Sequence, residues 1–425
     1  MNRFLLRSLL PAAICAAAAL SASATDGRYR EYVIGERVGG MGGAATAVAR
    51  DVDAIYYNPA GMALSPGDSI SLSANLYGGE HYSQKNGLGY GDDDDSTAFV
   101  SIPGAFGGVK RLSEEWAAGV GVFAPKQEKR HIVSSFDEAG NRATISARSY
   151  HFDYNDQTIM FGPAVAWAPE DSRLALGAGL FGVYRDFSLN QTAFRQGDSV
   201  NSVACDLKAF GILASLGAQY DLGDGWSAGA ALQTPNLRVW DDGVISLVGT
   251  WEENGRTETL GIHSEDVRVD NYIPLQAAVG IGKTVPGVWG FALDAIYHPS
   301  SHFDFMRWKG DEYSMHLHSV LDVSIGGEYI VAEHYPIRAG FYTAFSSVRV
   351  PNDPDETEFV TTDVDMYGVT FSVGQRLDDK MSVNFGIDYA FGHGHDLGED
   401  AEGNDMRTSC DRRVLLATVS TTYYF

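Results

Sequence analysis

Several groups of residues in this chain carry side chains that could do chemistry. Gly67-Asp68-Ser69-Ile70 and Gly197-Asp198-Ser199-Val200 resemble the start of a lipase motif. A nucleophilic serine needs an oriented histidine and acid beside it. Neither serine sits at a strand-to-helix turn, so neither is read as a nucleophile. His316 and His318 share one strand face, and His298, His302 and Asp304 lie across the same loop. Histidines at i, i+2 can bind a divalent metal, but polar residues at the rim of a loop give the same spacing without one. His393 and His395 form a weaker pair in a Gly-rich loop, and the run Asp92–Asp95 is either a Ca²⁺ attractor or a solvated loop. Gly39-Gly40-Met41-Gly42-Gly43 invites a phosphate-loop reading, yet no strand precedes it and no Gly-Lys-Ser/Thr follows. No enzyme, no cofactor and no metal is expected.

The elements that would position any such group are strands. The last fourteen residues, Arg412 to Phe425, alternate cleanly. Leu415, Ala417, Val419, Thr421, Tyr423 and Phe425 fall on one face, and Leu416, Thr418, Ser420, Thr422 and Tyr424 on the other. An apolar face ending in an aromatic pair suits a strand that turns this face to lipid. No segment is long and apolar enough for a transmembrane helix, which is compatible with a membrane barrel because its lipid-facing and lumen-facing residues alternate.

Residues 1–24 read as a secretory signal peptide. Arg3 and Arg7 give the positive start, Leu5–Leu20 the apolar run and Ala22-Ser23-Ala24 the cleavage site. Pro11 interrupts the run, and Ile14 before Cys15 argues against a lipoprotein. Cleavage removes both arginines and takes the net charge from −24 to −26. So acidic a chain is a poor nucleic-acid binder. Its acidic loops serve solubility or hold divalent cations against anionic lipid headgroups. Cys205 and Cys410 survive cleavage, and the compartment permits a disulfide whose existence geometry decides.

From Asp68 onward alternating segments are joined by connections of two kinds. Short ones fall at Leu112–Glu115, Pro169–Arg173, Gly223–Gly225, Val285–Val288, Ala332–Tyr335 and Leu377–Lys380. Longer polar ones fall near Gly78–Ser96, Ala124–Ala147, Gln191–Ala204, Asp241–Glu258, Pro299–Tyr313, Ser346–Thr362 and Gly392–Cys410. Six short turns interleaved with seven long loops predict an all-β chain, an antiparallel transmembrane β-barrel of about fourteen strands with both ends on the short-turn side. An open sandwich would show the same alternation without the loop asymmetry. The inward parity of the strand from Leu174 reads Gly177, Gly179, Phe181, Val183, Arg185, Phe187, Leu189. A general porin needs a wet, charged lumen, so this row either touches something greasy or packs against a plug.

The stretch before the first strand does not alternate. Gly39, Gly40, Gly42, Gly43, Ala44 and Ala45 form a small-residue run to Ala49, followed by Asn58-Pro59-Ala60. Small residues let backbone pass close to backbone, which suits a segment threaded through a lumen. With Leu232-Gln-Thr-Pro235-Asn, Pro274–Gly280, Leu293–Tyr297 and Pro336–Tyr342, these residues resemble the FadL/OMPP1 family of outer-membrane transporters of long-chain fatty acids and other hydrophobic compounds. The matches run in order over most of the chain.

The resemblance implies an amino-terminal hatch (25–67) plugging a barrel (68–425) in the outer membrane of a Gram-negative bacterium. It implies import of a hydrophobic compound such as a fatty acid, with a hatch rearrangement and sideways exit into the membrane lipid through a gap at a kinked strand. The hatch motif maps to Asn58, Pro59 and Ala60. The third strand, Trp116–Phe123, is the candidate kink, because its inward parity of Ala117, Gly119, Gly121 and Phe123 leaves a thin wall and Pro125 ends it. Pro103 in the second strand is the alternative opening. Phe181, Val183, Arg185 and Phe187 are the candidate ligand wall, with Arg185 and then Arg338 as donors to a carboxylate head. Each arginine has a structural alternative, pairing with Asp294, Asp322, Glu328 or Asp388. The loops Ala124–Ala147 and Gln191–Ala204 are modest and polar where the family's outer groove has apolar loops. The chain is expected to act as a monomer. The second reading is a PorV-like barrel that partners secretion or assembly and carries no small molecule.

Overall fold

The computed structural model describes residues 27–425 except 74–75, 90–91, 103, 137–147, 196–198, 254–255, 271, 309–310, 351–361, 379 and 400–404. The predicted signal peptide and Pro103 therefore lie outside the described residues.

Fourteen antiparallel strands close on themselves. Strand β1 is Ser69–Ser73 continued by Leu76–Gly89, and β2 is Asp92–Ile102 continued by Phe106–Arg111. Then follow β3 (Trp116–Phe136), β4 (Arg148–Trp167), β5 (Leu174–Arg195) and β6 (Ser199–Gly223). Strand β7 is Trp226–Gln233 with Leu237–Glu253, and β8 is Arg256–Ser264 with Gln276–Val285. The ring is completed by β9 (Trp289–His298), β10 (Val320–Val331), β11 (Tyr335–Ala344), β12 (Asp363–Arg376), β13 (Met381–Glu399) and β14 (Asp405–Tyr424). The closing strand pairs back on β1 from Ser69↔Tyr424 to Gln84↔Cys410. Closure matters because a lipid-exposed edge would leave its N–H and C=O groups with no partner.

The alternation predicted for the strands is the one observed. On β13, Phe385 is 61% exposed while its neighbour Asn384 is 2% exposed. Leu415, Val419 and Tyr423 point outward on β14 and Leu416 inward. Aromatic pairs such as Trp116–Trp167 and Tyr423–Phe425 gather at the short-turn end of the apolar band, as an interfacial girdle requires.

Three expectations change. The segments read as long loops are largely strand: β1, β7 and β13 run on to Gly89, Glu253 and Glu399. Above the apolar band polar residues interrupt the outward face, so the lipid signature vanishes while the backbone ladder persists, as at Asp363↔His395 and Asp365↔His393. Pro299–Tyr313 is no open loop either. Ser301–Trp308 and Asp311–Leu317 form a hairpin that adds Val267–Val269 as a third strand. Its buried Met306, Trp308, Met315 and Leu317 cluster with Phe187, Leu189 and Ile245 of the wall, roofing the lumen. Finally, Pro125 does not end β3. The strand continues to Phe136 across a register shift between Phe123 and Lys126, because a bulge tolerates a residue without an N–H. Cys205 and Cys410 are both buried and form no disulfide with each other.

Residues 27–67 fill the lumen with two short helices, α1 (Arg37–Gly40) and α2 (Asp51–Tyr57), and a 3₁₀ turn at Pro59–Leu64. Val52, Ile55 and Met62 of this segment share one buried cluster with Phe123, Met160, Phe181, Val183 and Leu213 of β3–β6. Ile387 is 53% exposed on the outward face of β13. Ile387→Lys is expected to cost about 2–4 kcal/mol when unfolding is measured from lipid vesicles, whereas Ile387→Leu should be nearly neutral.

Candidate functional site: a plugged lumen with an apolar cavity

The plug sits on the wall main chain to main chain. A Cβ at Gly177 or Gly217 would overlap the Asn58-Pro59-Ala60 backbone and side chains, and one at Gly326 or Gly340 would overlap Met41 and Gly42. Gly42 and Gly43 turn with φ of +65° and +80°, a region open to glycine at no steric penalty. Asn58 is fully buried. Its Nδ2 donates to Thr46 O at 2.7 Å and to Ala218 O of β6 at 3.0 Å, and its Oδ1 accepts from Ala60 N at 3.2 Å. Across the lumen Asp294 of β9 accepts from the backbone N–H groups of Ala45 and Thr46 at 2.7 and 2.8 Å. On the closing side Glu36 accepts from Ser382, Asn384 and Thr422, and Asp51 from Tyr424 at 3.1 Å.

Above the plug lies a cavity of about 130 Å³. Tyr29, Tyr56, Met160, Tyr272, Ile273 and Pro274 form much of its wall, and Phe303, Met315 and Leu317 of the hairpin its roof. His298 stacks on Tyr29 with ring centroids 4.1 Å apart. Pro125, Lys126 and Arg185 provide a polar end. There Asp156, with no exposed surface, takes a bidentate fork from Arg185, 2.8 Å at both oxygens, and Lys126 at 2.9 Å. Beside it Arg412 meets Glu80, Glu31 and Glu128, and Arg28 meets Glu31. Among the described residues this network sets four cations against four carboxylates.

The short-turn side of the plug is different. A vestibule of about 950 Å³ opens there, lined by Arg37, Arg50, Asp51, Asp53, Glu328 and Arg338 among others. Charged side chains are more frequent here than around the cavity, beside apolar residues such as Val52, Pro286 and Met381.

The wall is interrupted at one flank. Strand β3 pairs with β2 only along Phe106–Arg111. Among the described residues no ladder joins β3 to Asp92–Ile102, which pairs instead with β1. The separation begins at the bulge after Phe123. A cleft of about 390 Å³ lies there, bounded by Thr97, Ala98 and Phe99 of β2 and by Lys129 and His131 of β3.

The structure brings only some of the predicted residues together. Arg185 lines the cavity, but its fork is committed to Asp156 and not to any of the four acids considered. Arg338 is on the vestibule side, held by Glu328 at 2.6 Å. Phe181 and Val183 face inward as expected but pack on the plug, and Phe187 packs under the hairpin, so none of the three lines the cavity. Gly119 and Gly121 are laddered on both sides, to Val109 and Gly107 and to Ala164 and Gly162, so the wall is closed there and parts above Phe123. Gly39 and Gly40 belong to α1. Lys126 was missed because the bulge shifts the alternation of β3 by one. Asp156 was legible, since Phe152, Tyr154, Thr158 and Met160 share its inward parity on β4. His302 and His316 stack on each other across the hairpin with ring centroids 4.2 Å apart.

A closed fourteen-stranded barrel with an apolar outer band and a plugged lumen defines an outer-membrane channel protein. The chain belongs to the outer membrane protein transport protein (OMPP1/FadL/TodX) family, whose model matches residues 15–425. That family is one of outer-membrane transport channels for hydrophobic compounds, not enzymes. The fold is similar to the Pseudomonas putida toluene transporter TodX, with 17% identity over 93% of this chain and 99% of that one and a TM-score of 0.64. A Pseudomonas aeruginosa FadL homologue gives 14% identity over 93% and 99%, TM-score 0.64, and the CymD monoaromatic hydrocarbon channel 15% over 92% and 98%, TM-score 0.58. No curated protein matches the chain in sequence.

Asn58→Ala leaves buried main-chain carbonyls without a donor and is expected to lower stability by about 1–3 kcal/mol, read by chemical denaturation in micelles. Asp156→Ala leaves two buried cations facing each other and should cost on the order of 3–5 kcal/mol in the same assay.

Proposed function

We propose that this chain, acting as a monomer, imports small neutral hydrophobic compounds of about single-ring size, with sideways exit into the membrane between β2 and β3. The observation that carries this reading is the cavity. At about 130 Å³ it is close to an engineered apolar cavity of about 150 Å³ that binds benzene. A long acyl chain would have to reach well beyond it. Among the described residues the ion-pair network at its polar end offers a carboxylate head no uncommitted positive charge, which favours a neutral ligand over a fatty acid. Proteins of similar fold point the same way, since TodX is a toluene transporter and CymD a monoaromatic hydrocarbon channel.

The vestibule favours the sideways route. A ligand moving straight down would enter a space lined by charges, giving up roughly 0.8 kcal/mol of burial per CH₂. The gap between β2 and β3 leads toward lipid instead, and strand β3 borders both spaces, with Pro125 and Lys126 on the cavity and Lys129 on the cleft. An open cavity beside an interrupted wall also weighs against a PorV-like partner role, for which a filled lumen and an unbroken wall would suffice.

Uptake of labelled toluene and of labelled palmitate by cells with and without the gene tests the reading. Toluene uptake should depend on the gene and palmitate uptake should not. Dependence of palmitate alone would restore the fatty-acid reading, and dependence of neither would remove import. Thr158 lines the cavity, and Thr158→Trp should fill it and reduce toluene uptake at least tenfold while the protein still reaches the membrane.

A further inference from the structure

On the outer surface, next to the wall gap, three metal-ligating side chains converge from two strands. His131 of β3 lies directly opposite Asp153 of β4, and His151 stands two residues along β4 on the same face. The Asp153 carboxylate is shared between the two imidazoles. One oxygen meets His131 Nδ1, and the other lies 2.6 Å from His151 Nε2. One donor atom from each residue lies within 4.8 Å of the other two. The rings are 5.5 Å apart, edge to face. All three side chains are solvent-accessible, at 62%, 42% and 44%, so an ion reaches them without passing the lumen. Inward parity on β4 belongs to Phe152, Tyr154 and Asp156, which are buried.

We propose that His131 Nδ1, His151 Nε2 and the Asp153 carboxylate form a binding site for one divalent transition-metal ion of the Zn²⁺ class. Two imidazole nitrogens and a carboxylate oxygen are the ligand set that borderline-soft ions prefer. Ligands bound at about 2.0–2.2 Å around a tetrahedral ion stand roughly 3.4 Å apart. Here both imidazoles are drawn onto the carboxylate, His151 Nε2 at 2.6 Å, and all three donors lie within 4.8 Å of one another, so an ion spreads them by small rotamer changes that exposed side chains make freely. Ca²⁺ and Mg²⁺ are poor fits, because hard ions want an oxygen shell and two of the three donors are nitrogens. The location gives the ion a mechanical effect. Above its bulge β3 has no ladder to β2 among the described residues; its backbone pairs with β4, and Glu128 reaches Arg412 by its side chain. An ion joining His131 to His151 and Asp153 reinforces that flank of the opening against β4. Lys129 of the same cleft is the nearby cation the ion must compete with.

The test uses the untagged full-length chain in detergent micelles, stripped with chelator and titrated with Zn²⁺ by calorimetry. One equivalent is expected, with affinity at least tenfold weaker in H131A and in H151A and unchanged in H302A/H316A, which removes the stacked pair on the hairpin. Cu²⁺ substituted at one equivalent should give an electron paramagnetic resonance spectrum with two imidazole nitrogens, reduced to one in H131Q, a variant that keeps the size and polarity of the side chain. Absence of binding, equal affinity in H131A/H151A, or loss confined to H302A/H316A would each overturn the site. None of these readouts depends on transport, so failure of the import reading would leave this result intact and the reverse.

Discussion

Main chain lying directly on main chain is the contact on which the rest of this structure depends. A plug of about forty residues must fill a lumen whose walls point a side chain inward at every second position. It can do so only where those positions are empty, and Gly177, Gly217, Gly326 and Gly340 empty them. Close approach then brings buried peptide groups together, and each needs a partner. Asn58 and Asp294 supply those partners from opposite sides, one from the plug and one from the wall. The apolar cluster of Ile55, Met62, Phe123 and Phe181 forms around this polar frame. A methyl group added at any of the four glycines would lift the plug off the wall and undo both.

The lumen is thereby divided into two chemical spaces. Above the plug, aromatic rings, methionines and an ion-pair network enclose a small volume. Below it, arginines and carboxylates are prominent around a larger one. A hydrophobic molecule is at home only in the first. The bulge at Phe123–Lys126 connects this division to the wall, because the same one extra residue shifts the facing of β3, brings Lys126 to Asp156 and marks where β3 parts from β2. One local irregularity thus sets both the polar end of the cavity and the edge of the gap.

The barrel was legible in the sequence because lipid imposes a period of two on everything it touches. Leu415 to Phe425 and Met381 to Phe391 read correctly for that reason, and the six short turns were placed by their turn residues. Legibility stopped where lipid stops. In the upper halves of β1, β7 and β13 polar residues interrupt the apolar outward face, and these segments read as loops. Pro299–Tyr313 reads as a polar connection, although Met306 and Trp308 within it are buried and pack with Met315 and Leu317. Within the site, Arg185 was found from parity alone, whereas Lys126 lay past a bulge that no alternation predicts. Phe181 and Val183 were assigned the correct face, but facing inward does not distinguish a ligand from a plug. The His131, His151 and Asp153 cluster was invisible because it joins two strands whose pairing register the sequence does not state.

The plug's anchors are spread along the chain in an uneven way. Glu31, Glu36 and Asp51, near the amino terminus, are held by Arg412, Thr422 and Tyr424 of the closing strand. These contacts join the plug to the strand that closes the ring. They cannot form before β14 is in place, so full seating of the plug waits on that strand. Until then the plug lacks the partners that secure it along one side of the lumen.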